Sequence, residues 1–283
     1  MEEERQIEIL KKGDDNMNIL IIGAHPDDSE VCTGGFATLC RKKGYRLRFM
    51  SMTNGCTGHF KIGGVELVKI RQKEAQNAAS IIGAESFIMD IPNNGLEVNL
   101  PYRYRLIEII REFKADIIIS HRPNDYHPDH RNTSQLVQDT STAVNNPNVC
   151  SLTQPLAKNP TYLYVGDRFQ KPYPFIPDVI FDIDSIIDTK IDMLHCHASQ
   201  FYQWLPWEKG WLDKVPKEEG EKKRWLKEWR GQEDIDIANR FRDKLVEKYG
   251  KEKGQKVKYA EAFECSEYGT VLSKKELNQI FDF

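Results

Sequence analysis

Two short stretches of this chain concentrate the side chains able to hold a cation or move a proton. The first is Ala24-His25-Pro26-Asp27-Asp28. The second is His121-Arg122-Pro123-Asn124-Asp125-Tyr126-His127-Pro128-Asp129-His130, which holds three of the seven histidines. Burying so many ionisable groups for structural reasons alone would carry a heavy desolvation cost. A nucleotide-binding turn needs Gly-x-Gly-x-x-Gly so that backbone can approach a pyrophosphate. Here two carboxylates stand in that turn; they repel a phosphate and welcome a cation. Imidazole and carboxylate donors without a thiolate suit catalytic zinc, with three protein ligands and an exchangeable water. Iron(II) held by two histidines and one carboxylate fits the same donors, and ligand type alone does not separate them.

The elements that must position these stretches follow from the hydrophobic pattern. Asn18–Gly23 reads as a buried strand, Gly34–Lys43 as a helix and Arg46–Thr53 as a second strand. Glu66–Gly83 reads as a long helix with a glycine stop, Phe87–Ile91 as strand three, Tyr102–Phe113 as a helix and Asp116–Ser120 as strand four. Strands alternating with helices predict βαβ units in an α/β, Rossmann-like, mostly parallel sheet flanked by helices. Both clusters then fall at strand C-terminal ends. In the doubly wound order strand four lies beside strand one, where such folds bind ligands. Further strands are expected at Thr161–Val165 and Val179–Ile183, a helix over Ser185–Tyr202, and a closing strand at Lys258–Phe263.

Length and composition bound the rest. At 283 residues, 40% hydrophobic and 29% charged, the chain can bury a sizeable core without staples. It reads as one α/β domain over residues 1–283, with a polar N-terminal extension over 1–16 and a helical embellishment over about 204–254. Forty basic against 43 acidic residues give a net charge of −3, which leaves out a global footprint for nucleic acid. No apolar run reaches the roughly 18 residues of a membrane span, and none provides an anchor. Met1–Asp15 lacks the apolar core of a secretory signal, and the six cysteines are scattered without a C-x-x-C pair. Free thiols in a reducing cytoplasm are therefore expected.

Residues Lys214–Lys258 carry 15 Lys/Arg and 10 Asp/Glu with both signs interleaved, the mark of a solvated helical face. All five tryptophans (Trp204, Trp207, Trp211, Trp225, Trp229) lie just before or inside this stretch. Packing is the ordinary use of such a group. Stacking on a sugar ring, a lid, or an interface in a homo-oligomer are the other readings.

Taken together, the motifs resemble the LmbE-like, or PIG-L, family of zinc-dependent deacetylases of N-acetylglucosamine derivatives. The resemblance is carried by Ala24-His25-Pro26-Asp27-Asp28-x-Glu30, Gly34-Gly35, Thr53-Asn54-Gly55, Arg71-x-x-Glu74 with Gly83, and Pro123 to His130. His197-x-Ser199-Gln200 and Tyr259-Ala260-Glu261-Ala262-Phe263 extend it. It implies His25, Asp28 and His130 as metal ligands, with zinc the expected ion. It implies Asp27 as general base, and His127 as the residue that steadies the oxyanion or protonates the leaving amine. Asp129 is implied to orient His127, and Arg71 to touch substrate. Asn94-Gly95 stands where many relatives carry Asp-Gly, at a position implied to meet a sugar hydroxyl. His197 is the substrate-side candidate of its motif, and His195 on the same helix reads as structural.

The simpler readings remain beside these. Asp28 could serve as a helix N-cap, His121 as a strand-end packing residue or a support for the ligands, and His59 as an exposed loop residue. Arg71 could pair along its own helix with Glu66 or Glu74. The function expected is removal of acetyl from an amino sugar or its conjugate. A non-catalytic carbohydrate-binding module and an iron(II) enzyme using the same site are the alternatives.

Overall fold

The computed structural model describes residues 17–283, so the extension read over residues 1–16 lies outside it. In chain order the elements begin with β1 (Asn18–Gly23), α1 (Asp28–Lys42), β2 (Arg46–Ser51), α2 (Gly64–Ile81), β3 (Glu85–Ile88) and α3 (Leu100–Phe113). They continue with β4 (Ile117–Ser120), α4 (Pro128–Thr140), β5 (Thr161–Val165), β6 (Val179–Asp182) and α5 (Ile187–Cys196). A π-helical turn (Gln200–Trp204) runs into one α-turn (Leu205–Glu208). After it come α6 (Glu219–Arg240), α7 (Arg242–Tyr249), β7 (Ala260–Gly269) and α8 (Lys274–Ile280).

The sheet order is β3-β2-β1-β4-β5-β7-β6. Strands β3, β2, β1, β4 and β5 pair in parallel, while β7 runs antiparallel to both β5 and β6. This is the flanked α/β sheet that the alternation of strands and helices predicts. β1 (NILIIG) and β4 (IIIS) are near-continuous apolar runs because helices cover both of their faces. The pleat divides them: Ile19 and Ile21 join the core under α1, α2 and α5, while Leu20 and Ile22 join the core under α3 and α4. A smaller cluster of Phe175, Ile180, Ala238, Leu245 and Val257 seats α6 and α7.

β3 and β7 lie at Glu85–Ile88 and Ala260–Gly269 rather than the expected Phe87–Ile91 and Lys258–Phe263, and three helical elements also differ from the sequence expectation. α1 begins at Asp28 rather than Gly34, because the chain turns at Pro26 and enters the helix at once. α4 has no counterpart in the expected elements. Its start is set by His127, whose ring nitrogen caps the Asp129 N–H, and by Pro128 in the first turn. The helix expected over Ser185–Tyr202 is broken after Cys196 and resumes as the π-helical turn.

α1 lies close to the layer beneath it because its Gly34-Gly35 pair has no side chains. A Cβ on Gly35 would come within 2.7 Å of Ile183 Cγ2. The backbone N–H groups of Gly35 and Phe36 donate to Glu261 on β7 (2.9 and 2.6 Å), and Glu261 accepts from Lys190 of α5 at 2.7 Å. Lys190 also donates to Asp234 of α6 at 2.7 Å, so one buried ion network ties the embellishing helix to the sheet. Gly35→Ala should lower the unfolding free energy by about 1–3 kcal/mol through overpacking. The expected result is a lower urea midpoint at constant slope; an unchanged midpoint would contradict the close approach.

Candidate functional site

The β1–β4 register sets Ile22 against Ser120, which brings the turn after β1 beside the turn after β4. Each turn opens directly into a helix, α1 or α4. Asp28 and His130 therefore sit in the first turns of two neighbouring helices, above the C-terminal edge of the sheet. Asp28 is no N-cap for its own helix. Its Oδ2 folds back to accept from the Ala24 and His25 N–H groups (2.9 and 2.8 Å). Gly23 makes room for this: a Cβ there would lie 2.5 Å from Asp28 Cβ.

Around that oxygen the imidazoles gather. His25 Nδ1 lies 3.4 Å from Asp28 Oδ2, His130 Nε2 3.4 Å from the same oxygen, and the two nitrogens 3.2 Å apart. Tetrahedral ligands about 2.0–2.1 Å from zinc are separated by about 3.3 Å, so this triangle fits the ion. Two other triples, His25/His127/His130 and Asp28/His121/His130, also bring ligand atoms within 4.8 Å of one another. His121 is the weaker donor, since its Nε2 already accepts from the Ala24 N–H at 3.1 Å. Its ring instead stacks on His130, with centroids 4.1 Å apart and planes 8° from parallel.

The electrostatics call for positive charge here. Burial opposes a charge on His25, yet the carboxylates of Asp28, Asp129 and Asp27 outweigh it and push the imidazole up to about 10. Burial likewise disfavours ionised Asp28, but His130, His25 and His121 hold its carboxyl well below the usual carboxylate range. A divalent cation would supply that charge while leaving His25 neutral and able to ligate.

Each histidine of the triangle is held from behind by a carboxylate. Asp129 Oδ2 lies 3.3 Å from His25 Nε2 and also accepts the Asn94 N–H at 2.6 Å. Asp125 Oδ2 lies 3.1 Å from His130 Nδ1. Such pairs fix the ring orientation and raise the basicity of the nitrogen that ligates. The expected partnership of Asp129 with His127 is corrected by these contacts. The Asp129 carboxylate serves His25, and its tie to His127 is its own backbone N–H donating to Nδ1 at 3.1 Å. Asp125 was not singled out by sequence, although it lies in the same cluster five residues before His130.

These groups open onto a cavity of about 660 Å³. Asp27 lines it, with Oδ1 accepting from Arg71 Nη2 at 2.7 Å; Arg71 therefore pairs across the fold rather than along its own helix. His127 and Asn94 line it too. Asn94 is in the left-handed region (φ 61°), and its amide donates to Thr57 Oγ1 at 3.3 Å. His197 does not reach the cavity. It is fully buried, with Nε2 3.4 Å from Glu30 Oε1, so its expected contact with substrate is overturned.

The tryptophans divide. Trp204 lines the cavity, while Trp225 and Trp229 pack on the core. Trp207 stacks between Trp204 and Phe60, with centroids 5.2 and 5.1 Å away, and His59 of the same loop meets Gln203 at 2.8 Å. The far wall comes from the end of β5 and from α6, through Asp167, Phe169, Arg230, Glu233 and Arg240.

A mostly parallel α/β sheet with a His/Asp/His cluster at its switch point defines the class. Residues 20–141, a segment that contains both clusters, match the family described as PIG-L: GlcNAc-PI de-N-acetylase. The diacetylchitobiose deacetylase of Thermococcus kodakarensis is 24% identical over 202 residues, covering 69% of this chain and 74% of that protein. The 4-oxalmesaconate hydratase of Pseudomonas putida is 24% identical over 193 residues, covering 65% and 74%. The crystal structure of GalB, the 4-carboxy-2-hydroxymuconate hydratase of Pseudomonas putida KT2440, shares the fold. Its TM-score is 0.70 at 18% identity, over 91% of this chain and 98% of that one. Among the described residues no helix is long and apolar enough to cross a membrane.

The Asp125 contact gives a direct test. Asp125→Asn should weaken metal binding by roughly 10–100-fold, measured by chelator competition. Unchanged affinity would show that His130 needs no such support.

Proposed function

We propose that this protein is a zinc-dependent hydrolase that removes the N-acetyl group from an N-acetylglucosamine-type amino sugar or sugar conjugate. The observation that carries the reading is the His25–Asp28–His130 triangle opening on a cavity that also contains Asp27. Bound there, zinc would act as a Lewis acid toward water and an acetyl carbonyl.

The side chains supply the proton movements. Asp27, steadied through Oδ1 by Arg71, takes a proton from water as the water oxygen attacks the acetyl carbon. When the C–N bond breaks, Asp27 returns that proton to the amine nitrogen, releasing the free amino sugar and acetic acid, which gives up the second water proton to solvent to become acetate. His127 accepts the Asp129 N–H at Nδ1, and burial, with His25 and His130, pushes its imidazole down. The ring is then neutral with its proton on Nε2, which suits donation to the tetrahedral oxyanion rather than proton delivery to the amine.

The hydratase relatives favour a second reading, in which the same groups add water to an unsaturated acid. Charge argues for the amino sugar. Of the five arginines lining the cavity, four are already paired with carboxylates: Arg71 with Asp27, Arg122 with Asp167, Arg168 with Asp236 and Arg230 with Glu233. An acidic substrate would have to displace those partners, whereas a neutral, hydroxyl-rich one would not. A binding module has no use for a base beside the cation site, and metal analysis separates zinc from iron(II).

Asp27→Asn should keep its metal and lose about 10²–10⁴-fold in acetate release. Retained turnover would remove Asp27 as base. Hydration of an unsaturated acid without acetate release would establish the second reading.

A further inference from the structure

The His197-x-Ser199-Gln200 motif has no part in the hydrolytic steps, yet it is tied to α1, which carries Asp28, and to α2, which carries Arg71. His197 packs against Glu30, two residues beyond Asp28 on α1. Glu74, almost buried on α2 and one turn beyond Arg71, accepts the Ser199 N–H at Oε1 (2.7 Å) and the Ser199 hydroxyl at Oε2 (2.6 Å). Both are charge-assisted hydrogen bonds, the strong kind. They fix the entry to the π-helical turn, a feature frequent at functional sites.

The first residue of that turn, Gln200, lines the cavity although it is 8% exposed. Its Nε2 donates to the Gly58 carbonyl at 2.9 Å. An amide has two donors and an acceptor, so one N–H and the carbonyl oxygen remain for another partner. On the same loop Thr57 receives its own order from Asn93, whose Oδ1 accepts the Thr57 N–H at 2.8 Å. Gln200, Asn93, Asn94 and Thr57 thus give the cavity uncharged donors and acceptors beside the catalytic cluster.

We propose that Gln200 reads the hydroxyl arrangement of the sugar ring that carries the acetamide, and that Glu74 is a positioning residue acting on it through Ser199. The proposal rests on the amino-sugar reading above. It gives the motif a role through Gln200 where the sequence pointed to His197. A Gln200 that only braced the Gly58 loop would affect every substrate alike, and this separates recognition from structure.

The test compares two glycosides that differ only at one ring hydroxyl, the N-acetylglucosamine and N-acetylgalactosamine forms, on metal-loaded protein. The wild type should prefer one epimer. Gln200→Ala should reduce that preference in kcat/KM about tenfold, the worth of one hydrogen bond, mainly through KM and with metal content unchanged. Glu74→Gln should shift the preference in the same direction by less. Calorimetric binding of both epimers to Asp27→Asn protein, with and without Gln200→Ala, should show the same loss of discrimination without turnover. Equal losses on both epimers, or unaltered discrimination, would overturn the proposal while leaving the deacetylase reading in place. No acetate release from either epimer by wild type would overturn that reading and the proposal with it.

Discussion

Everything at this site depends on where one carboxylate oxygen is held. Asp28 Oδ2 accepts two backbone N–H groups from its own turn and faces the imidazoles of His25, His121 and His130 within 3.4 Å. Without a cation the histidines must carry the balancing charge themselves, which is why His25 is driven so far up. The geometry also constrains the sequence around it. Gly23 must lack a Cβ for Asp28 to fold back, and α1 must begin at Asp28 for the carboxylate to meet a residue from the turn after β4.

The sheet turns this local arrangement into a site. β1 and β4 are adjacent and parallel, so their C-terminal turns converge, bringing His25 of the first turn to Asp28 and His130 in the first turns of the two helices that follow. Carboxylates behind the two imidazoles then fix the rings: Asp129 reaches across to His25, and Asp125 holds its neighbour His130. This centre faces an outer wall built by the end of β5 and α6. α6 is pinned to the sheet by the buried Lys190–Asp234–Glu261 network.

Much of this could be read from the residues. β1 and β5 are the runs of apolar and β-branched residues expected, with the bounds expected, because a buried parallel strand has little freedom in composition. The candidate cation site was legible because His25, Asp27, Asp28, His127, Asp129 and His130 lie in two compact clusters. What was not legible depends on pairing across the fold. Asp129 reaches a histidine 104 positions away, a choice that spacing does not encode. His197 shares its motif with a residue that reaches the cavity, but the break after Cys196 and the π-helical turn decide which one does. α4 was missed because polar residues dominate it and its cap is a histidine rather than Ser, Thr, Asp or Asn.

The central claim is that one cation, held by His25, Asp28 and His130, is needed to cleave an acetamide in this cavity. The most direct measurement strips the protein with a chelator, returns zinc in substoichiometric steps and follows acetate release from an N-acetylglucosaminyl glycoside. The account predicts no release from the stripped protein and recovery that is linear up to one zinc per chain. Release that survives stripping, or a filled site that frees no acetate from any N-acetylated amino sugar, would contradict it.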